Sequence, residues 1–333
     1  MKHSIPDTMK AIIQHEPGGK LEIAEVPVPK PEKGEVLVRM AASPMNPSDL
    51  SFLNGTYVSK PEYPVIPGIE GSGIVVAVGK GIIPAMRLGK RVTCSSSSTQ
   101  GGTWAEYMLT SATKVIPINK NIDFEQGAML IVNPMTALAF MEIIKAGKHK
   151  ALVNNTAASV LGQMLARLCK KHSIPLINIV RRNEHVGLLS EMGEEYVLNS
   201  SEKDFDKKLK ELSLKLNATL FLDAVGGENT SRFVDAAPFG SSIMVYSNMS
   251  GEPFVVDPRA LIQGNKRIDN FYLGNWASQR NILQNLSTAK KVQKLAKEEL
   301  NSKIQRIFPM EEAQKALEFY KENMTGGKVL LKM

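Results

Sequence analysis

The sequence predicts an α/β protein: a doubly wound parallel sheet of Rossmann type, preceded by a smaller β-rich domain. Three observations predict it. Residues 151–182, ALVNNTAASVLGQMLARLCKKHSIPLINIVRR, read as strand, tight small-residue turn, helix, strand and then two arginines. From about Phe124 onward helical and strand patterns alternate, as a parallel sheet requires. Before that point, short strand patterns follow one another between turn-rich pieces.

The early strands are expected at Lys10–Ile13, Leu21–Glu25, Glu35–Ala41, Gly73–Val78, Arg91–Cys94 and Ala105–Leu109. Glu16–Lys20, Pro27–Gly34 and Ser95–Gly102 carry the glycine, proline and serine of turns, so this part reads as a small barrel-like domain. A helix follows through Phe124–Val132, and another after Pro134 through Ala146. In the βαβ unit, Ala151–Asn154 is the first strand, Ala157, Ser159 and Gly162 narrow the turn, Gln163–Lys171 is the crossover helix and Ile177–Val180 the second strand. A helix at Glu184–Met192, a strand at Tyr196–Leu198, an amphipathic helix at Phe205–Leu216 and strands at Leu220–Asp223 and Ser242–Ser247 continue the sheet. Helices at Ile282–Leu300 and Ala313–Asn323 and a strand at Lys328–Leu331 complete the chain, the tail rejoining the first domain.

The turn after Asn154 carries chemistry. A short turn leading into a helix N-terminus offers backbone N–H groups to a pyrophosphate. At the end of the second strand, an acid selects the free ribose of NAD and an arginine the 2′-phosphate of NADP. Arg181 and Arg182 stand there. A βαβ unit that only builds core is the other reading, since Ala and Ser replace two of the usual glycines. Val160, being β-branched, resists positive φ at the turn. Gly226 and Gly227, after Leu220–Asp223, lie where a sheet of this kind touches its ligand; a turn needing positive φ explains them equally.

Composition narrows the function. A 333-residue chain with 43% hydrophobic and 22% charged residues is long enough for two domains with cores. No apolar run approaches the ~18 residues of a membrane span, and MKHSIPDTMK has neither a signal-peptide core nor a transit pattern, so no membrane partner and a cytoplasmic location are expected. Two cysteines, Cys94 and Cys169, are too few and too far apart for a disulfide framework or a Cys-rich metal site. The net charge of +8 is dispersed, and its mild clusters, Lys207–Lys215 and Lys290–Lys297, have amphipathic helical spacing with acids nearby. Nucleic acid is therefore not the expected partner. A diffuse positive field suits an anionic small molecule or an acidic carrier protein.

The order ASPMNPSDL, PGIEGSGIVVAVG, GTWAEYML, the Rossmann-like unit, DAVGG and a terminal GGKVLL resembles the medium-chain dehydrogenase/reductase superfamily over essentially the whole chain. The resemblance implies a GroES-like catalytic domain at 1–126, completed by 273–333, and a NADP-binding Rossmann-like domain at 127–272. Zinc members of the family bind their catalytic metal with a Cys, the His of a GHE motif and a second Cys. Here those places read Met45-Asn46, Gly68-Ile69-Glu70 and Asn133-Pro134, and no metal is expected. NPSDLSFLNGTY, GTW, VNPMTA, NIVRR and FYLGNW look more like the 2-enoyl thioester reductases than the quinone oxidoreductases of the zinc-free branch.

The resemblance then assigns roles. Tyr57 falls where enoyl reductases have their proposed catalytic tyrosine, against a tyrosine simply packed in a loop. Asn46 and Asn133 would orient nicotinamide or substrate, against turn formation before proline, and Thr136 belongs with Asn133 at the cofactor. Ser159, Val160, Leu161 and Gly162 take the pyrophosphate and Arg181 and Arg182 the 2′-phosphate. Tyr246, Ser247, Asn248 and Met249 lie on the nicotinamide side, Phe271, Tyr272 and Leu273 form its wall, and Lys328 is a further cofactor contact. The expected activity is NADPH-dependent hydride transfer to an enoyl thioester, on CoA or a carrier protein, or to a quinone, by a homodimer. A non-catalytic NADPH-binding scaffold or regulatory protein is the alternative.

Overall fold

The computed structural model describes residues 5–96 and 101–333. The centre of the expected Ser95–Gly102 turn lies outside the described residues. In chain order the elements are β1 (Thr8–Ile13), β2 (Glu22–Pro27), β3 (Glu35–Pro44), α1 (Pro47–Leu53), β4 (Glu70–Val78), α2 (Ile82–Arg87), β5 (Arg91–Ser95), β6 (Tyr107–Ser111), β7 (Val115–Pro117) and α3 (Phe124–Gly127). There follow α4 (Val132–Ala146), β8 (Ala151–Asn154), α5 (Val160–Lys171), β9 (Leu176–Val180), α6 (Asn183–Glu191), β10 (Tyr196–Asn199), α7 (Phe205–Leu216), β11 (Ala218–Asp223) and α8 (Glu228–Ala236). The chain finishes with β12 (Ser242–Val245), α9 (Pro258–Gly264), β13 (Arg267–Asn270), α10 (Leu273–Ser278), α11 (Ile282–Leu295), β14 (Ile304–Pro309), α12 (Ala313–Glu322) and β15 (Lys328–Lys332).

Two compact units result, Met1–Pro134 with Ala289–Ala296 and Asn301–Met333, and Met135–Thr288 with Lys297–Leu300. These bounds differ from 1–126 with 273–333 against 127–272, because 127–134 group with the first unit and 273–288 with the second. In the first unit, seven strands run in the order β14-β15-β3-β4-β5-β7, with β6 also on β3. The ten residues of β3 pair with β4, β6 and β15. Met45, Leu53, Trp104, Phe308, Leu317 and Tyr320 form one of its cores.

The second unit is a six-stranded parallel sheet ordered β10-β9-β8-β11-β12-β13. Counting its own strands from β8, that is 3-2-1-4-5-6, with a topological switch point between β8 and β11. All residues of β8 and β9 are buried, as expected of strands covered by helices on both faces. Phe205, Phe221 and Phe233 anchor one face, with the last two rings 5.3 Å apart. Phe140, Leu165, Leu220 and Leu222 anchor another core.

The expected helix Phe124–Val132 is one turn, α3, capped by Asp123, which accepts the Gln126 N–H at 2.7 Å. Helix α4 starts at Val132 rather than after Pro134: a proline fits the first turn, where N–H groups have no intrahelical partner. Helix α5 starts at Val160, ahead of the expected Gln163, because Ser159 caps it there. The helix expected to reach Leu300 ends at Leu295.

Candidate functional site

At the switch point the ends of β8 and β11 lie side by side. Thr156 takes φ +56° and is the left-handed residue of the turn, whereas Val160 is the first residue of α5. The β-branch of Val160 therefore meets no conflict, and the strain expected there sits at Thr156. Ser159 caps α5, its hydroxyl accepting the Gly162 N–H at 3.0 Å. The first-turn amides of Val160 and Leu161 have no intrahelical acceptor and carry the positive end of the helix dipole. A side chain at Gly162 would collide with the Ala157 carbonyl, so glycine lets the helix rise close against the turn.

Beside this turn stands a residue pair that the sequence reading did not single out. Asp223, fully buried, accepts from the Asn155 amide at 2.6 Å, the Val225 and Gly226 N–H groups at 2.9 and 3.0 Å and the Thr230 hydroxyl at 2.6 Å. Asn155 in turn accepts the Ala224 N–H at 2.8 Å. The two strand ends are locked together. The polar strand ends, Asn154-Asn155 and Asp223, were the available signal.

The β12 loop is tied to the same place. Tyr246 N–H donates to Asp223 O at 2.9 Å, Met249 N–H to Ala224 O at 3.0 Å, and a Cβ on Gly226 (φ +73°) would strike the Asn248 side chain. The Tyr246 phenol, pushed up to about 12 by burial, lies 3.5 Å from the Thr156 hydroxyl. Its ring meets Phe140 edge-on at 5.2 Å, and Phe140 meets Phe271 at 4.9 Å. Ser247 is half-buried, Met249 is 47% exposed, and Tyr272 and Leu273 are half-buried at the start of α10. Arg181 and Arg182 are exposed at the end of β9, Arg182 pairing with Glu184 at 3.3 Å. Thr136 is buried in α4.

In the first unit, Asn46, Asp49, Glu70 and Lys328 form a buried polar cluster. Asn46 precedes Pro47, the first residue of α1, and Asp49 accepts the Asn46 N–H at 2.8 Å and that of Ile69 at 3.1 Å. Glu70 takes the Asn46 amide at 3.0 Å on one oxygen and the N–H groups of Ile131 and Val132 at 3.0 and 2.9 Å on the other. The Lys328 ammonium donates to the Asn46 amide oxygen. Asn46 is 0% and Lys328 2% exposed. The groups expected to touch substrate and cofactor are therefore committed to each other. Asn133, half-buried, directly follows the backbone that Glu70 holds. Tyr57 sits half-buried after α1, its ring edge-on to Phe52 at 6.4 Å. Trp104 of GTW is wholly buried in the core.

Burial pushes both carboxyls up: Glu70, against the pull of Lys328 and its donors, and Asp49 to about 7. Burial pushes Lys328 down, opposed by Glu70 and Asp49. Asp49, raised mainly by burial, stays protonated up to about 7. Its folded-state value lies above the unfolded value of 3.8, so the native state binds the extra proton and stability falls as pH rises from about 4 to 7. Relative to Asp49→Asn, the wild type should lose up to about 1.4 kcal/mol per pH unit across that window in urea unfolding. Parallel pH profiles for the two proteins would contradict this.

The cluster does not fit a catalytic zinc. Such a site needs three protein ligands and one open position, but both Glu70 oxygens already accept hydrogen bonds and an ammonium shares the site. Among the described residues no group of three or more His, Cys, Asp and Glu side chains could hold a metal ion.

Residues 32–120 match the alcohol dehydrogenase GroES-like domain and residues 160–288 the zinc-binding dehydrogenase domain. A mitochondrial enoyl-acyl-carrier-protein reductase of Arabidopsis thaliana is 30% identical over 278 residues, 81% of this chain and 73% of that protein. The chain belongs to the medium-chain dehydrogenase/reductase superfamily. It is an oxidoreductase of the branch that holds quinone oxidoreductases and enoyl thioester reductases. The Xenopus tropicalis enoyl-acyl-carrier-protein reductase, mitochondrial, is 29% identical over 80% of this chain and 76% of its own length. A crystal structure from Mesorhizobium loti, assigned as an NADPH:quinone reductase, superposes with a TM-score of 0.92 at 30% identity, covering 99% of this chain and 100% of that one. Among the described residues no donor set corresponds to the zinc in the second domain's name. The Val160 and Leu161 amides open α5 at the switch point, the place where sheets of this kind meet the phosphates of a dinucleotide.

Proposed function

We propose that the chain is an NADPH-dependent, zinc-independent reductase of activated double bonds, with 2-enoyl thioesters on CoA or an acidic carrier protein as the substrate class. One observation carries the reading. Where zinc members place metal ligands, this chain has a closed Asn46–Glu70–Lys328 cluster, so a substrate carbonyl must be polarised by a hydrogen-bond donor instead. Tyr57 is that donor in the proposal.

Bound NADPH supplies the hydride. Val160 and Leu161 hold its pyrophosphate, Arg181 and Arg182 its 2′-phosphate, and Tyr246–Met249 with Phe271–Leu273 enclose its nicotinamide. Asn133 and Thr136 orient it from α4. Asn46 and Lys328 keep Glu70 in place, and Glu70 holds the backbone of Ile131 and Val132, which fixes the start of α4. With hydride added at the β-carbon, the Tyr57 hydroxyl donates to the carbonyl oxygen as negative charge develops there; the α-carbon of the enolate then takes a proton from Tyr57, which regains one from water. A quinone acceptor is the second reading, favoured by the likeness to the Mesorhizobium loti protein. The two buried free cysteines support a reducing cytoplasmic location, and a homodimer is proposed on family resemblance.

Turnover of NADPH with a panel of enoyl thioesters and quinones tests the reading, and absence of turnover with every substrate assigns the chain to non-catalytic NADPH binders. Nucleotide titration tests the cofactor. A charge-assisted pair to phosphate contributes roughly 1.5–3 kcal/mol, so wild type should prefer NADPH over NADH by about 10- to 150-fold. Arg181→Ala/Arg182→Ala should erase the preference; equal affinities in wild type would refute it.

A further inference from the structure

Helix α2 turns apolar side chains into solvent. Ile82 is 82% exposed, Met86 65%, Leu88 51% and Ile83 37%, while Pro84 is the buried residue of the helix. Ile82 and Met86, four residues apart, lie on one face. Pro84 fixes the helix, which packs on β3 and β4, so the exposed side chains are presented by a rigid base.

Within this stretch the charges have one sign. Lys80, Arg87 and Lys90 lie in the same stretch, and no acid occurs between Gly79 and Arg91. Arg91 turns away, donating to the carbonyls of Lys120 and Ile122. Arg87 is half-buried with its Nε unpartnered. The neighbouring loop, bonded through Gly34 N–H to Lys80 O at 2.9 Å and Gly79 N–H to Glu35 O at 3.0 Å, adds exposed Lys30 and Lys33. Its exposed acid is Glu32; the Glu35 carboxylate folds back onto the Glu32 N–H at 2.9 Å.

We propose that α2 is a peripheral contact for an anionic lipid surface. Ile82, Ile83, Met86 and Leu88 enter the boundary between headgroups and acyl chains, and Lys80, Arg87 and Lys90 meet the lipid phosphates. Lipid fits this surface better than a folded partner. Protein hot spots centre on Trp, Tyr and Arg seated in pockets, whereas α2 is a short raised helix with aliphatic and thioether side chains and no aromatic. A lipid surface asks only for apolar area and positive charge. The chain's net charge of +8 adds to the attraction. No helix among the described residues is long and apolar enough to cross a membrane, so the contact lies on the surface. The expectation of no membrane partner rested on the lack of a spanning run, a criterion that a six-residue interfacial helix escapes. The proposal is independent of the reaction assigned above.

The test is co-sedimentation of the full chain with vesicles of phosphatidylcholine, with and without phosphatidylglycerol, at low and high salt. Wild type should bind the anionic vesicles and release as salt rises. Ile82→Asp/Met86→Asp should lower the partition coefficient by about 10- to 100-fold, and Lys80→Glu/Lys90→Glu by about 10-fold or more at low salt. Ile82→Ser/Met86→Gln gives the same readout should the aspartates impair folding, and melting temperatures matched to wild type qualify each variant. Wild type remaining in the supernatant, or variants that bind as wild type does, would overturn the proposal. So would binding of an acidic acyl carrier protein through α2 without any binding to vesicles, which would assign the patch to a protein.

Discussion

Tyr57→Phe is expected to lower kcat for an enoyl thioester by about 10²–10⁴-fold while leaving NADPH affinity nearly unchanged. The substitution removes one oxygen and keeps the ring, whose edge-on contact with Phe52 at 6.4 Å helps hold the loop after α1. Any loss therefore reports on the hydroxyl rather than on packing. With a quinone the product oxygens are far less basic and water completes their protonation, so the same variant should turn quinones over almost as wild type does. Steady-state kinetics on both substrate classes, at matched melting temperature, decides between the two readings. An enoyl thioester activity indifferent to Tyr57→Phe would remove this residue from the chemistry.

Lys328→Met is expected to destabilise the fold by about 3–5 kcal/mol, the range for removing one partner of a buried ion cluster. Methionine fills most of the lysine's volume, so the loss is one of charge: Glu70 would remain buried without its cation. Glu70→Gln on the Lys328→Met background should recover part of the loss, because the glutamine oxygen can keep an N–H partner without a charge to bury. Urea unfolding of the single and double variants measures the coupling. A cost below about 1 kcal/mol for the single variant would mean that the ammonium contributes little.

What the sequence disclosed divides by range. Strand β8 and helix α7 were expected at the bounds they have, since a continuous apolar run and a clear amphipathic period are local properties. Helix α1 was not expected, although Asn46-Pro47-Ser48-Asp49 carries the signature of a helix start, with a cap residue, proline at the first position and an acid two residues on. The asparagine is read from the sequence as a nicotinamide or substrate contact, against a turn before proline, and neither reading places a helix there. Strands β7, β13 and β14 were missed because their neighbours along the sheet, rather than their own patterns, make them strands. The cluster was invisible for another reason: Asn46 and Lys328 are 282 positions apart, and nothing in either segment announces the other. The locking of Asp223 to Asn155, 68 positions away, was hidden in the same way.

The pairing of β15 with Ala42–Pro44 of β3 bears on the order in which the chain matures. Residues 135–288 are contiguous and emerge from the ribosome as one stretch, so the parallel sheet can close while synthesis continues. Its host cannot. One edge of β3, Ala42–Pro44, waits for Leu330–Lys332, and until they arrive it offers unpaired backbone groups to any passing strand. The guest matures early and the host late, which makes the nascent first unit the stretch of this protein that most needs a chaperone.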